Sequence, residues 1–284
     1  MVKMGDVWDR TVAFLGDHLS TILPIALFAI FAPSCISGSL ADVQVAAGTA
    51  TRMALGLIPL AFAILSLWGQ LAIAALAVEP ALGGNATRAA TARLLPAIGV
   101  YVVAFMVVFV VLGGQAMLFA LLGGYDLHQI SVAGQTMQRM ALPLQLSRGV
   151  AVVLLIEAGL MLLLVARLTP VTAVIMAERR GVGAFARAFQ LTRGLTWKLV
   201  GVVVLYAVVT FIAVLAARTV FGSILGLLTS REGPISVAGV LTAVIVAAVS
   251  TGFTVLAAAF CAKLYAAIVE TGAQRVPAAS FDPA

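Results

Sequence analysis

The sequence predicts an all-α membrane protein with six transmembrane helices. Of its 284 residues, 63% are hydrophobic and only 10% are charged, whereas a soluble domain has about 45–50% apolar and about 25% charged residues. One soluble core of this size cannot bury so much apolar surface. The composition therefore excludes a water-soluble protein, a disordered chain and, despite a formal net charge of +6, a nucleic-acid-binding protein.

Six apolar stretches are long enough to cross a bilayer as helices, which takes about 20 residues. None alternates between polar and apolar residues in the manner of a membrane β-strand. The residues before the first stretch hold Asp6, Asp9 and Asp17, unlike the basic start of a signal peptide, so we expect an uncleaved helix. The predicted spans are 19–40, 53–78, 96–122, 149–176, 197–220 and 235–268.

The distribution of basic residues predicts that both termini are cytoplasmic. With a cytoplasmic N-terminus, 11 Lys and Arg residues fall in inside segments, 5 in outside segments, and Arg167 lies within a span; positive residues concentrate inside. The Arg-, Ala- and Gly-rich composition is typical of a GC-rich bacterium, so we expect a multi-pass protein of the bacterial inner membrane. Residues 1–272 are predicted to form a single membrane domain, followed by a short disordered tail at 273–284.

A repeated pattern divides this domain into three units. Superposing Glu79 on Glu178 also superposes Arg88 on Arg187. Each predicted unit is a short amphipathic helix followed by a membrane hairpin. Since a hairpin returns the chain to the same side, successive units keep the same orientation, as parallel repeats do. The predicted units cover residues 5–78, 84–176 and 182–268.

Basic residues concentrate on the predicted cytoplasmic face. Five of them lie between residues 179 and 198, and each attracts anionic lipid by about 1 kcal/mol near the surface. An amphipathic helix there would place Phe185 and Phe189 in the acyl boundary and its guanidiniums among the headgroups. The cluster either fixes topology alone or binds lipids or a partner. The candidate binding residues are Arg88, Arg93, Arg180, Arg187, Arg193, Trp197 and Lys198.

Glu157, Arg167 and Pro170 form a candidate polar site within the predicted fourth span. The two charges lie about 15 Å apart along the helix, too far to pair directly. Each costs on the order of 2.5–3.5 kcal/mol at such depth, which favours a functional role. Snorkelling of Arg167 and protonation of Glu157 are the structural alternatives. We expect Pro170 to leave free carbonyls near Arg167, and Lys263 to be an interfacial anchor.

No pattern in the sequence indicates catalysis. The HExxH, Walker, GxSxG and CxxC motifs do not occur. His128 lies near Asp126 in the outer loop, and we interpret the two as solvated residues rather than metal ligands. We therefore expect no enzyme activity, metal site or cofactor.

The segment between Arg167 and Lys198 resembles a known family. It reads RLTPVTAVIMAERRGVGAFARAFQLTRGLTWK and is similar to the membrane domain found with some bacterial glycerophosphoryl diester phosphodiesterases and to the YciC-like group of multi-spanning proteins. The shared pattern is an Arg and Pro on a membrane helix, an acidic residue at its inner end, an Ala/Arg helix, and Leu-Thr-Arg-Gly. The sequence holds no phosphodiesterase barrel, so the resemblance implies a helical bacterial inner-membrane protein and no catalytic residue.

Two functions remain as expectations. The first is a non-enzymatic membrane module that engages anionic lipids of the cytoplasmic leaflet, or another membrane protein, through its interfacial basic residues. The second is a small-solute or lipid transporter or flippase in which Arg167 and Glu157 line a polar path. Neither function involves nucleic acid.

Overall fold

The computed structural model describes residues 3–46, 49–123, 144–179, 181–228 and 237–273. All regular secondary structure in these ranges is helical, which confirms the predicted all-α class. A π-helical segment, Leu27–Phe31, joins the second and third helices, and a 3₁₀ turn, Pro80–Asn85, precedes the fifth. The α-helices are α1 (Met4–Asp17), α2 (Leu19–Ala26), α3 (Ala32–Ala46), α4 (Thr49–Val78), α5 (Ala86–Gly123), α6 (Leu144–Leu168), α7 (Val171–Glu178), α8 (Gly183–Leu191), α9 (Thr196–Leu228) and α10 (Val237–Ala273).

Six stretches of helix are long and apolar enough to cross a membrane, which confirms a multi-pass membrane protein. Because the number of spans is even, α1 and the end of α10 lie at the same membrane face. The predicted outer loop with Asp126 and His128, and most of the predicted tail, lie outside the described residues. The six stretches are Leu19–Leu40, Gly56–Val78, Pro80–Gly114, Leu155–Glu178, Thr196–Gly226 and Val237–Thr271.

The second unit differs from its prediction in one respect. No separate amphipathic helix precedes the third span, because α5 runs without interruption from Ala86 to Gly123. Its first turns are rich in Ala and Arg, which are strong helix formers. Pro96 lies inside this helix without ending it. Arg88 and Arg93 are therefore carried by the membrane helix itself.

The second span of each predicted hairpin lies at the centre of the bundle. Helices α4, α7 and α10 contact one another, whereas α3, α5 and α9 each pack against two of the second spans. Small residues line the centre and let these helices approach closely. On the outside, Phe105 and Phe211 are about two-thirds exposed, as expected for side chains that face lipid. Fully buried central residues are Ala72, Ala74, Ala173, Ala259 and Ala262.

The first and second spans approach each other closely at Gly69, the described glycine at which an added Cβ atom would have the nearest neighbour. A Cβ atom built on Gly69 of α4 would lie 2.7 Å from the Cβ of Ala29, which is completely buried. Ala29 belongs to the π-helical segment, whose altered turn places it against α4. Only glycine leaves room for this contact.

The fourth span is broken at Pro170, as the sequence predicts. Helix α6 ends at Leu168 and α7 begins at Val171. Both parts contact α8, but beyond it α6 packs against α9, whereas α7 packs against α4, α5 and α10.

Candidate functional site

The candidate basic residues gather at the membrane face that carries α1. The connection 79–85 lies between the second and third spans, and Arg179 and Gly181 lie between the fourth span and the fifth, so these residues lie at this face. Among the described residues, some of these basic side chains form hydrogen bonds or ion pairs within the protein, whereas others are exposed without an ion-pair partner. This difference decides which of them are available to a ligand.

Arg187 is engaged by an acidic residue at the end of α7. Its Nε donates to both carboxylate oxygens of Glu178, at 2.9 and 3.2 Å. The hydroxyl of Tyr265 on α10 donates to the same carboxylate at 3.2 Å. Glu178 is only 17% exposed. The cluster of Glu178, Arg187 and Tyr265 therefore connects α7, α8 and α10, and Arg187, which the sequence predicts among the headgroups, is held by a carboxylate of the protein itself.

Arg93 is engaged by the carboxyl end of α7. Its Nη1 donates to the carbonyl of Ile175 at 3.0 Å and to that of Met176. These carbonyls are among the last four of the helix, which have no partner within it. A cation also interacts favourably with the negative end of the helix dipole. Arg93 thus caps α7 from α5.

Lys263 caps a second helix in the same way. Its Nζ donates to the carbonyl of Ala77, near the end of α4, at 2.8 Å and lies 4.6 Å from the ring centroid of Phe14. Lys263 is therefore more than the interfacial anchor that the sequence predicts, since it holds α1, α4 and α10 together.

Arg10 of α1 closes a further contact at this face. Its Nη1 lies 2.8 Å from a carboxylate oxygen of Glu270, near the end of α10. The hydrogen bond and the negative charge of Glu270 raise the pKa of the Arg10 guanidinium. Both side chains are more than half exposed, so the pair contributes little to stability on its own.

The structure does not bring Glu157 and Arg167 together. Both lie on α6, and Arg167 places its Cζ 5.5 Å from the ring centroid of Phe189 on α8, a cation–π contact. The sequence predicts free carbonyls near Arg167 at the Pro170 break, and among the described residues Arg167 makes no hydrogen bond to them. The hydroxyl of Thr169 instead donates to the carbonyl of Ala166, at 3.0 Å.

Glu157 faces the protein rather than lipid. It is 7% exposed, although its neighbours Leu155 and Ile156 are 75% and 66% exposed. Since α6 packs against α9, this carboxyl lies on the protein side of its helix. Its burial is consistent with the cost of a carboxylate in the bilayer.

Three candidate residues remain exposed where α8 joins α9. Arg193 and Lys198 are exposed, and no described residue forms an ion pair with either of them. Trp197 lies between them in sequence and is 81% exposed. Gly194, with a φ of 89°, makes the turn that precedes α9. The candidate Arg88 on α5 is exposed as well, and Arg180 lies outside the described residues.

A cleft opens between the start of α5 and the end of α7. It has a volume of about 660 Å³. Along α5 its lining residues recur every three or four positions, which places them on one helix face. The described lining residues are Asn85, Arg88, Ala89, Ala92, Arg93, Pro96, Ile175 and Arg179.

Three residues at this face, Glu178, Tyr265 and Arg179, are not among the site residues predicted from the sequence. A sequence signal does mark Glu178, since Glu79, Glu178 and Glu270 each lie at or near the end of an apolar helix. No local pattern marks Tyr265 or Arg179. Within the described ranges, no group of three His, Cys, Asp or Glu side chains could hold a metal ion.

Comparisons with protein families, with curated proteins and with solved structures find no match to this chain.

Proposed function

We propose that this protein is a non-enzymatic module of the bacterial inner membrane that binds anionic phospholipids at the face carrying α1 and α8. One observation carries the proposal: Arg193 and Lys198 are exposed, and no described residue pairs with them. They flank the exposed Trp197 at the point where α9 enters its apolar stretch. This surface, Arg193 with Trp197 and Lys198, is called the α8–α9 surface below.

The chemistry of the α8–α9 surface suits a lipid headgroup region. Tryptophan favours the membrane interface, because its ring is apolar and its N–H is polar. Cations at this depth attract anionic lipids, with about 1 kcal/mol for each residue. Because Arg93 and Arg187 are engaged within the protein, the α8–α9 surface supports lipid binding better than they do.

The resemblance of residues 167–198 to phosphodiesterase-associated membrane domains is compatible with this proposal. The segment spans the Pro170 break, the Glu178–Arg187 ion pair and the α8–α9 surface. We propose that it serves as a membrane module in this chain as well. A membrane-protein partner would use the same exposed residues, and the experiment below distinguishes it from lipid.

Replacing Arg193 and Lys198 with glutamine is expected to weaken the association of anionic lipid. Each substitution should lower the association constant of phosphatidylglycerol, relative to phosphatidylcholine, about fivefold, which corresponds to about 1 kcal/mol. The measurement is the fraction of spin-labelled lipid that is immobilised by the protein in reconstituted membranes. High salt should reduce the preference of the unchanged protein, because exposed charges are screened.

The matched control is Arg218→Gln. Arg218 is exposed on the same helix, about 30 Å beyond Lys198 at the opposite membrane face. Its replacement removes the same charge from the same helix and should leave lipid selectivity in the inner leaflet unchanged. If the Arg193 and Lys198 variants select lipid as the unchanged protein does, the proposal is wrong. If these variants instead lose a copurifying protein in mild detergent, the surface binds a partner.

A second function, transport along a polar path, is favoured by the burial of Glu157 on the protein side of α6. This alternative predicts that cysteines at 157 and 167 react with membrane-impermeant thiol reagents from at least one side. Lipid-facing Leu155 provides the matched control on the same helix. Equal protection of all three positions would exclude the path, whereas selective labelling of 157 and 167 would favour it over the lipid module.

A further inference from the structure

The cleft between α5 and α7 concentrates positive charge. Three guanidiniums, those of Arg88, Arg93 and Arg179, line it, and the described lining residues include no carboxylate. Glu178 adjoins Arg179 in sequence, but its carboxylate accepts hydrogen bonds from Arg187 and Tyr265. The acidic residue nearest to Arg179 along the chain is therefore engaged by other side chains.

Two of the three arginines are available to a ligand. Arg88 and Arg179 are exposed, and no described residue forms an ion pair with either. Arg93 uses its Nη1 for the carbonyls of α7, which fixes its guanidinium at the wall of the cleft. The side chain of Asn85 adds a neutral donor and acceptor at the same opening.

The backbone at Arg179 has an unusual conformation. Arg179 follows the last residue of α7 with φ 54° and ψ 31°, in the left-handed region. Glycine is the usual residue at this position after a helix, because a Cβ atom is disfavoured there. Here the position holds an arginine that lines the cleft instead.

We propose that the cleft binds the phosphate group of a membrane phospholipid, with Arg88 and Arg179 as the direct donors and Arg93 as the fixed wall. Guanidinium groups bind phosphate oxygens through paired N–H donors. The volume of about 660 Å³ is within the range of small-molecule sites, about 300–1,000 Å³, so it accommodates the glycerol part together with the phosphate. Phosphate binding in the cleft depends on the proposed function in one respect only, namely that the phosphate comes from a membrane lipid.

The charge of the cleft predicts a preference among headgroups. A phosphomonoester carries between one and two negative charges near neutral pH, since its second pKa is about 6, whereas a phosphodiester carries one. Phosphatidic acid should therefore bind more tightly than phosphatidylglycerol, and phosphatidylcholine should bind least.

The test compares Arg88→Gln and Arg179→Gly with the unchanged full-length protein. In detergent micelles, phosphatidic acid should raise the unfolding midpoint of the unchanged protein, and each variant should need at least fivefold more of this lipid for the same shift. Arg179→Gly should be at least as stable as the unchanged protein without lipid, because glycine adopts the left-handed conformation freely. A variant that is stable yet unresponsive separates a binding role from a structural one.

Additional measurements identify the source of the phosphate and distinguish binding in the cleft from binding at the α8–α9 surface. If inorganic phosphate gives the same arginine-dependent shift as phosphatidic acid, the cleft takes a soluble phosphate and the lipid source is wrong. If Arg88→Gln and Arg179→Gly respond to phosphatidic acid as fully as Arg218→Gln does, the cleft is not a phosphate site. The variants Arg193→Gln and Lys198→Gln should keep the response to phosphatidic acid, so the two proposals can fail independently.

Discussion

Replacing Gly69 with valine is expected to cause the largest loss of stability among single substitutions in the first hairpin. The new Cβ atom would lie 2.7 Å from the Cβ of Ala29, so the first and second spans must separate. Overpacking of this kind costs about 3 kcal/mol, and the unfolding midpoint should fall by about 5 °C for a chain of this size. Thermal unfolding in detergent, followed by size-exclusion chromatography, measures the change.

The same helix provides the control for this prediction. Gly56 also lies on α4, and a Cβ atom there would have no neighbour within 4 Å, so Gly56→Val should change the midpoint little. Replacing Ala29 with glycine should recover stability in a Gly69→Ala background, since it removes the atom that clashes. Equal losses at positions 56 and 69, or no recovery by Ala29→Gly, would contradict the described packing.

Replacing Arg93 with methionine should destabilise the junction between α5 and α7. Methionine keeps much of the side-chain length but leaves the carbonyls of Ile175 and Met176 without their donor. An unsatisfied buried carbonyl costs about 1–3 kcal/mol, so we expect a total loss of about 2–6 kcal/mol for the two carbonyls. The measurement is the shift in unfolding midpoint, together with proteolysis at the α7–α8 connection.

Arg88→Met is the matched control for Arg93→Met. Arg88 lies on the same helix and is exposed, so its replacement should leave stability nearly unchanged. Arg93→Lys should recover part of the stability, because an ammonium group also donates hydrogen bonds to carbonyls. If Arg93→Met is as stable as Arg88→Met, the cap does not stabilise α7.

The spans and the Pro170 break could be predicted from sequence because they depend on local properties. A stretch of apolar residues forms a helix in lipid wherever it lies in the chain, since its backbone must satisfy its own hydrogen bonds. Pro170 removes one of these bonds, although a proline alone does not end a helix, since Pro96 lies inside α5. The continuity of α5 could not be predicted, because arginines such as Arg88 and Arg93 are also typical of a separate surface helix.

The contacts of individual charges could not be predicted, because they depend on packing between distant segments. Arg93 donates to residues 82 and 83 positions later in the chain, and Lys263 to a residue 186 positions earlier. Nothing in the local sequence separates these engaged cations from Arg193 or Lys198. The distinction appears only when the ends of α4 and α7 are placed beside α5 and α10.

The threefold repeat stays a prediction. The helix contacts are arranged as such a repeat would require, because each first span packs between two second spans. Ala77 and Met176 occupy corresponding positions when Glu79 is superposed on Glu178, and both carbonyls accept a hydrogen bond from a cation on another helix. The second unit departs from the pattern by lacking a separate amphipathic helix.

The Arg10–Glu270 pair has a consequence for biosynthesis. Its two residues are 260 positions apart, and α1 also buries Val7 against Leu264 and Phe260 of α10. Because chains are synthesised from the N-terminus onward, α1 has no packing partner at the membrane surface until α10, the last helix, has been inserted. The packing of α1 against α10 is therefore the last contact of the bundle to form. In every incomplete chain α1 is still exposed, and a quality-control protease could cleave it.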